Sequence, residues 1–342
     1  MNILLTSVGR RTYMIEYFKN ALKGNGFIFA SNNVLTYSME KADGYIITPD
    51  IYNENYIKFL IDYCKEKEIN AIISLFDIDL PVLSKNRKIF EEIGVKLIVS
   101  QEKTVDICND KWKTNQFLYS IGLKPPMTYI SIEECKHDLD NGEIKFPLIL
   151  KPRWGMGSNG IYEVETLDEL EVLYKKLHKN IFNTYLCFES KQDVAACIII
   201  QQKIIGKEYG LDIFNDLEGN YVTTIAKQKL AIRAGETDIA YCVENSPFTN
   251  TSKKISQSLK HIGNLDVDCF ITENKEIYIL EMNCRFGGLY PFSHLSGVDF
   301  PSQIVRWLCG LSTDEKLITP KQYVTACKDL LPVIISIYPP PH

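Results

Sequence analysis

The chain has 342 residues, 45% of them hydrophobic and 24% charged, with a formal net charge of −5 at pH 7. This length allows two or three domains, the charge argues against a nucleic-acid partner, and no apolar run approaches the roughly 18 residues of a membrane-spanning helix. Because the charges near the N-terminus also follow the apolar residues, the reverse of a secretory signal, we expect a cytoplasmic protein with small-molecule substrates and no membrane contact.

The first 100 residues alternate short apolar runs with helical patterns. The predicted strands are NILLTSV, FIFASN, GYIITP, AIISLF and KLIVS, and the helices between them include TYMIEYFKNAL, ENYIKFLIDYCKEKE and LPVLSKNRKIFEEIG. This alternation predicts an α/β fold with a parallel, doubly wound sheet over residues 1–100. Such sheets bind ligands beyond the carboxyl ends of their strands, where SVGRR, SNN and FDID lie. Arg10 and Arg11 either begin a solvated helix or contact an anionic substrate.

A nicotinamide site is not expected in this sheet, because the dinucleotide-binding fingerprint GxGxxG is absent.

The pattern of residues 101–200 predicts a linker helix that begins at Asp110 and Lys111 and ends at Gly122, followed by a small lid unit. The lid elements are strand FPLILKP, a glycine-rich loop, strand GIYEVE, helix TLDELEVLYKKLHK and a strand at 186–189. Residues 201–325 predict a mainly antiparallel core sheet, and residues 326–342 a C-terminal tail.

The stretch ILKPRWGMGSNGI, residues 149–161, places a lysine at the end of a strand and a glycine-rich loop after it. Lys151 supplies a point charge, Gly155 and Gly157 let backbone amides approach a ligand, and Ser158 adds a neutral donor. These features suit a polyphosphate, although GxxxxGK[ST] is absent. A glycine-rich hairpin turn is the structural alternative.

A second polar cluster lies in IYILEMNCRFGG, residues 277–288. Strand alternation predicts Glu281, Asn283 and Arg285 on one face. The oxygens of Glu281 and Asn283 suit a hard divalent ion, and Arg285 suits phosphate. Asp268, in the preceding strand DVDCFI, alternates in phase and supplies a facing carboxylate. The alternative is a surface strand with polar outward positions.

In order along the chain, these motifs resemble the ATP-grasp superfamily, in particular the large subunit of carbamoyl phosphate synthase and its shorter single-module relatives. The motifs are Asp110-Lys111, the loop after Lys151, IIQQKIIGKEYGLDI, AKQKLAIRAGE and EMNCRFGG, and the resemblance runs from about residue 3 to 310. It implies an N-terminal pre-ATP-grasp domain followed by an ATP-grasp fold with a small lid subdomain. Since the chain has one such module and no glutaminase segment, we do not expect it to make carbamoyl phosphate alone.

The resemblance also implies roles for particular residues. The implied ATP-binding residues contact phosphates, adenine or ribose: Lys111, Lys151, Gly155, Gly157, Ser158, Gln201, Gln202, Ile204 and Glu208. The implied metal ligands are Asp268, Glu281 and Asn283, and the implied phosphate-facing catalytic residues are Lys229 and Arg285. Arg233 is a further catalytic candidate that either holds a substrate carboxylate or forms a surface ion pair.

The implied activity is that of an ATP-dependent ligase that activates a carboxylate as an acyl phosphate for attack by an amine or another nucleophile. The implied cofactors are ATP and Mg²⁺, as one or two ions that Mn²⁺ can replace, and the implied assembly is a homodimer. Two alternatives stay open: an ATP-dependent small-molecule kinase of the same fold, and a catalytically silent nucleotide-binding protein.

Overall fold

The computed structural model describes residues 1–157 and 159–334. Its N-terminal part contains a five-stranded parallel sheet in the order β3-β2-β1-β4-β5. The strands are β1 (Ile3–Thr6), β2 (Ile28–Asn32), β3 (Gly44–Ile47), β4 (Ala71–Ser74) and β5 (Lys96–Leu97). The helices of this part are α1 (Thr12–Leu22), α2 (Tyr37–Glu40), α3 (Tyr56–Glu66), α4 (Asp79–Lys85) and α5 (Arg87–Glu92). The predicted parallel sheet is confirmed, and every residue of β1 and β4 is buried, as in sheets that helices cover on both faces.

Two helices lead into a small antiparallel sheet, the lid sheet, of order β6-β9-β7-β8. The leading helices are α6 (Glu102–Asn109) and α7 (Lys111–Ser120). The strands are β6 (Thr128–Tyr129), β7 (Leu148–Pro152), β8 (Tyr162–Val164) and β9 (Ile198–Gln202), and the helices are α8 (Ile132–Asp140), α9 (Leu167–Phe182) and α10 (Cys187–Ser190). The glycine-rich loop connects β7 to β8, so this sheet sets the position of Lys151.

The third sheet, the core sheet, has six antiparallel strands in the order β14-β13-β10-β11-β12-β15. Its strands are β10 (Lys207–Asn215), β11 (Tyr221–Arg233), β12 (Glu236–Val243), β13 (Asn264–Ile271), β14 (Ile277–Asn283) and β15 (Thr325–Cys327). The helices of this part are α11 (Thr249–Leu259), α12 (Tyr290–Leu295), α13 (Phe300–Leu308) and α14 (Glu315–Ile318). The predicted fold class, a parallel N-terminal sheet followed by antiparallel sheets, is confirmed.

Some predicted details differ from the structure. Residues 186–189 were predicted as a strand but lie in and beside helix α10, because so short an apolar run cannot distinguish a strand from a buried helix. The predicted boundary between residues 200 and 201 falls inside β9, which pairs with β7 in the lid sheet. The predicted tail begins inside β15, which pairs with β12, and residues 335–342 lie outside the described residues.

One continuous apolar core joins the N-terminal sheet to the core sheet. Buried side chains run from Leu4 of β1 through Val105 of α6 to Leu211 and Val267 of the core sheet. This packing fixes the carboxyl ends of the parallel strands against the core sheet, where the candidate site lies. Among the helices of the described residues, none combines the length and apolar composition needed to cross a membrane.

The fully buried His261 predicts an acid-sensitive step in stability. Burial lowers its pKa to about 4, although the hydrogen bond from its Nε2 to the Ile213 carbonyl, 3.0 Å long, opposes the shift. The neutral ring therefore stabilises the fold fully above about pH 6.5, and this contribution is lost as pH falls toward 4. We expect the loss at pH 4 to reach about 3 kcal/mol, measured by urea unfolding between pH 7 and pH 4.

The variant His261→Gln separates this effect from other titrating groups. Glutamine can donate to the same carbonyl but does not titrate, so its free energy of unfolding should fall less than that of the wild type over this interval. Identical pH profiles for the two proteins would contradict the assignment to His261.

Candidate functional site

The register of the core sheet places four polar residues in two adjacent rows. Asp268 of β13 pairs with Glu281 of β14, and Asp266 pairs with Asn283. Two carboxylates directly opposite each other repel, so this arrangement requires cations close by.

Lys229 of β11 is one of these cations. Its Nζ lies 2.6 Å from Oε1 of Glu208 and 2.7 Å from Oδ1 of Asp268. Burial alone would lower the pKa of Lys229, but Asp268 and Glu208 raise it above its usual range. The predicted phosphate-facing lysine thus contacts both the predicted ribose-binding glutamate and the predicted metal-binding aspartate.

Lys111 approaches from the first residue of α7. Asp110 caps this helix by accepting a hydrogen bond of 2.9 Å from the backbone N–H of Trp112. Nζ of Lys111 donates to the Gly155 carbonyl and lies 3.7 Å from Oε2 of Glu281. Lys111 therefore connects the glycine-rich loop to β14.

Lys151, at the end of β7, adds a further buried cation. Burial lowers its pKa to about 8, Glu281 opposes this shift, and Lys111 adds to it. Burial would raise the pKa of Glu281, but the charges of Lys111 and Lys151 hold it below its usual value. At neutral pH the site therefore contains an ionised Glu281 carboxylate and a mostly protonated Lys151.

Lys111, Lys151, Glu208, Asp268 and Glu281 line a cavity of about 130 Å³, the phosphate cavity, between the glycine-rich loop and the core sheet. Gly157 has a φ of +62°, a left-handed conformation that favours glycine. Ser158 lies outside the described residues. The predicted residues that line this cavity are Lys111, Lys151, Gly155, Gly157, Glu208, Asp268 and Glu281.

The oxygen donors of Asp268, Glu281 and Asn283 suit Mg²⁺, which proteins bind through one or two carboxylates together with substrate phosphates. Within residues 1–157 and 159–334, no three histidine, cysteine, aspartate or glutamate side chains form a metal-binding group. These side chains fit an ion whose remaining coordination positions are filled by phosphate oxygens. Because Asp268 forms an ion pair with Lys229, Glu281 is the stronger ligand candidate.

Arg285 forms ion pairs with two carboxylates. The strand ends at Asn283, so the predicted alternation with Glu281 does not extend to Arg285. Its Nη2 lies 2.9 Å from Oδ2 of Asp77, and its Nη1 lies 2.9 Å from Oδ2 of Asp266. Burial would lower the pKa of Arg285, but these carboxylates raise it. The guanidinium therefore joins the N-terminal sheet to the core sheet; it does not line the phosphate cavity, and its contact with the transferred phosphoryl group stays a prediction.

The predicted adenine-side residues lie on and after β9. Gln201 is buried, and its Nε2 donates a 2.9 Å hydrogen bond to Oγ1 of Thr128. Gln202 is exposed, and Ile204 lies in the link from β9 to β10. None of these three lines the phosphate cavity as the described residues form it, so their contact with adenine stays a prediction.

Arg233 is not brought to this site. It ends β11, its side chain is 73% exposed, and its Nη2 lies 3.0 Å from Oδ2 of Asp238. Of the two interpretations of Arg233, the structure matches the surface ion pair. Arg11 donates to the carbonyls of Leu75 and Phe286, whereas Arg10 is exposed.

Sequence reasoning did not assign Asp77 and Asp266, the two partners of Arg285. Asp77 belongs to FDID, which was recognised as the end of a strand, and Asp266 shares the two-residue period of Asp268. Those signals place the residues at a strand end and on a sheet face. They do not indicate that both carboxylates pair with Arg285, which lies more than 200 positions from Asp77.

Gly287 provides a test of the ion pairs that Arg285 forms with Asp77 and Asp266. A Cβ atom there would lie 2.1 Å from Oδ2 of Asp266, so Gly287→Ala must displace the carboxylate that holds Arg285. We expect a loss of about 1–3 kcal/mol in the free energy of unfolding, measured by urea denaturation, and slower ATP turnover. In the control Gly288→Ala, the new Cβ would meet only the flexible end of Lys328, at 3.4 Å. Equal effects of the two substitutions would contradict the proposed crowding.

Two family models match the chain. Residues 3–98 match the PylC-like N-terminal domain, and residues 144–291 match the ATP-grasp domain. A carbamoyl-phosphate synthase of Methanobrevibacter smithii is 24% identical over 71% of this chain and 65% of its own length. The chain spans between about a fifth and two thirds of the length of the curated relatives it matches.

Solved structures share the fold. The L-amino acid ligase of Bacillus licheniformis is 17% identical, with a TM-score of 0.74 over 97% of this chain and 81% of that chain. The biotin carboxylase domain dimer of Hydrogenobacter thermophilus 2-oxoglutarate carboxylase, in complex with MgADP and bicarbonate, is 17% identical. Its TM-score is 0.73 over 95% of this chain and 74% of that chain.

Proposed function

The chain belongs to the ATP-grasp superfamily, and on that premise we propose that it is an ATP- and Mg²⁺-dependent carboxylate–amine ligase. In the proposed reaction, a substrate carboxylate oxygen attacks the γ-phosphorus of ATP, and ADP leaves. The acyl phosphate then reacts with an amine: a C–N bond forms, the C–O bond to phosphate breaks, and the amine gives up a proton. In a variant of this proposal, a thiol or another nucleophile takes the place of the amine.

The observation that carries the proposal is a cavity lined by two lysines and three carboxylates, two of which pair with a third lysine. Lys111, Lys151 and Lys229 come from the linker helix, the lid sheet and the core sheet, and Glu208, Asp268 and Glu281 lie among them. Phosphoryl transfer depends mainly on positioning and charge neutralisation, which such a set supplies without a protein nucleophile. A silent nucleotide-binding protein would have no need for this carboxylate set.

The proposed division of roles follows the geometry. Lys111 and Lys151 would bind phosphate oxygens, and Glu281 with Asn283 and Asp268 would hold Mg²⁺, which supplies charge neutralisation on the phosphates. Residues 155–160 would close over the nucleotide and exclude water, which protects an acyl phosphate from hydrolysis. A second magnesium ion, replacement by Mn²⁺, a cytoplasmic location and a homodimer stay predictions.

The experiment is a measurement of ADP release from MgATP over a matrix of pooled carboxylic acids and pooled amines. Release that requires one acid pool together with one amine pool would support the ligase. Release with a single pool and a stable phosphorylated product would support the kinase. No release from any pool, together with no ATP binding in calorimetry, would contradict an ATP-dependent enzyme.

A further inference from the structure

A narrow cavity, here called the seat, adjoins the phosphate cavity. Its volume is about 20 Å³, close to the space of one water-sized group. It shares Lys111, Gly155 and Glu281 with the phosphate cavity. A group in the seat would therefore lie next to the place where the proposed acyl phosphate forms.

Two residues of the seat have buried acceptor oxygens without a donor among the described residues. They are Oδ1 of Asp77 and Oδ1 of Asn109. Asp77 is only 6% exposed, and its other oxygen is occupied by Arg285. Asn109 donates from Nδ2 to the Asp77 backbone carbonyl at 2.9 Å, which fixes its amide orientation. Because buried acceptors without partners cost free energy, both oxygens favour a ligand that carries N–H donors.

The carboxylates that line the seat are those of Asp77, Glu189 and Glu281. Arg285 pairs with Asp77, Lys111 lies near Glu281, and Glu281 is the proposed magnesium ligand. The unpartnered acceptors of Asp77 and Asn109, more than the charge, therefore favour an amino group in the seat.

A wide cavity of about 650 Å³, the body cavity, continues from the seat and shares Ile78 and Tyr185 with it. It lies where ligands bind in open parallel sheets, beyond the carboxyl ends of β1, β2 and β3. The ring of Tyr52 stacks on Phe188 of α10 with centroids 4.4 Å apart, and both rings line the cavity.

The polar lining of the body cavity is mostly neutral. Asn32, Asn33 and Thr48 line it, together with the carboxylate of Asp50. Among the described residues, the lining includes no lysine or arginine. A ligand with a phosphate in this cavity would therefore lack a cationic partner. A ligand with an apolar or aromatic portion and neutral polar groups would contact side chains of matching polarity.

We propose that the seat and the body cavity form the binding site of the second substrate, a primary amine with an uncharged, partly apolar body. Asp77 and Asn109 hold its amino group beside the phosphate cavity, and the aromatic surface of the body cavity holds the remainder. This inference rests on the proposed function, because it assigns the nucleophile of that reaction.

The test compares three probes of similar size on the full chain, with the phosphate cavity occupied by a saturating non-hydrolysable ATP analogue and Mg²⁺: phenethylamine, 2-phenylethanol and phenyl phosphate. Saturation-transfer NMR and calorimetry measure their binding. We expect phenethylamine to bind about tenfold more tightly than the alcohol, since a hydrogen bond to a charged group is worth about 1.5–3 kcal/mol, and phenyl phosphate to bind most weakly. Binding of phenyl phosphate equal to or tighter than that of phenethylamine would overturn the proposal.

Variants locate the two parts of the site. Asp77→Asn should remove most of the preference for the amine over the alcohol while the alcohol still binds, which also shows that the variant is folded. Tyr185→Ala should weaken binding of both probes, whereas Tyr119→Ala, a similarly exposed tyrosine on α7, should weaken neither. An unchanged preference in Asp77→Asn, or equal effects of the two tyrosine variants, would contradict the assignment.

Probe binding is independent of ATP turnover. If phenethylamine binds as expected but no acid–amine pair releases ADP, the amine site stands and the ligase proposal fails. If ADP release requires an amine but the probes do not respond to these variants, the ligase stands and this site is wrong.

Discussion

Replacing Glu281 by glutamine is expected to lower the rate of ADP formation by at least about 100-fold. The substitution keeps the shape of the side chain but removes the charge that lies 3.7 Å from Nζ of Lys111 and that raises the pKa of Lys151. It also removes the strongest candidate ligand for Mg²⁺. The measurement is ADP release at saturating MgATP with the acid and amine pools that activate the wild type.

The matched control is Glu276→Gln. Glu276 directly precedes β14, and its carboxylate forms an ion pair with Lys124 on the surface. Its substitution should leave ADP formation within about twofold of the wild type, since surface ion pairs contribute little. If Glu281→Gln retained full activity, the phosphate cavity would not be the site of ATP turnover.

Replacing Lys227 by methionine is expected to lower the free energy of unfolding by about 3–5 kcal/mol. Lys227 and Asp212 are both 0% exposed, and Nζ of Lys227 donates to the Asp212 carboxylate and to Oγ of Ser293. Without the lysine, a carboxylate remains buried in the core sheet with only Ser293 and Asn264 as donors. Urea unfolding at pH 7 measures the effect.

A second substitution tests the cause. The double variant Lys227→Met/Asp212→Leu should recover much of the loss, because it removes both charges and leaves apolar side chains in their place. Lys253→Met, on the exposed face of α11, should change the free energy of unfolding by less than about 0.5 kcal/mol. A loss in Lys227→Met no larger than in Lys253→Met would contradict the importance of the buried pair.

Local patterns were sufficient for the elements with strong periodicity. All five strands of the parallel sheet, the helix that begins at Lys111 and the strand ending at Asn283 were predicted from apolar runs and capping residues. They were insufficient for β12, where no strand was predicted, because its buried and exposed positions follow contacts with β11 and β15. The pairing strands supply that burial, and pairing is not a local property.

The sequence by itself determined which chemical groups are available: lysines beside a glycine-rich loop, carboxylates on alternating strand positions and no glycine fingerprint for a dinucleotide. It also indicated that Asp268 and Glu281 alternate in phase on successive strands, because the two-residue period of a strand is local. Only the tertiary structure decided that Lys229 pairs with Asp268, that Arg285 lies between Asp77 and Asp266, and that Arg233 points away to Asp238. The reason is physical: register between strands and packing between sheets bring together residues far apart in sequence, and burial then determines which charges must pair.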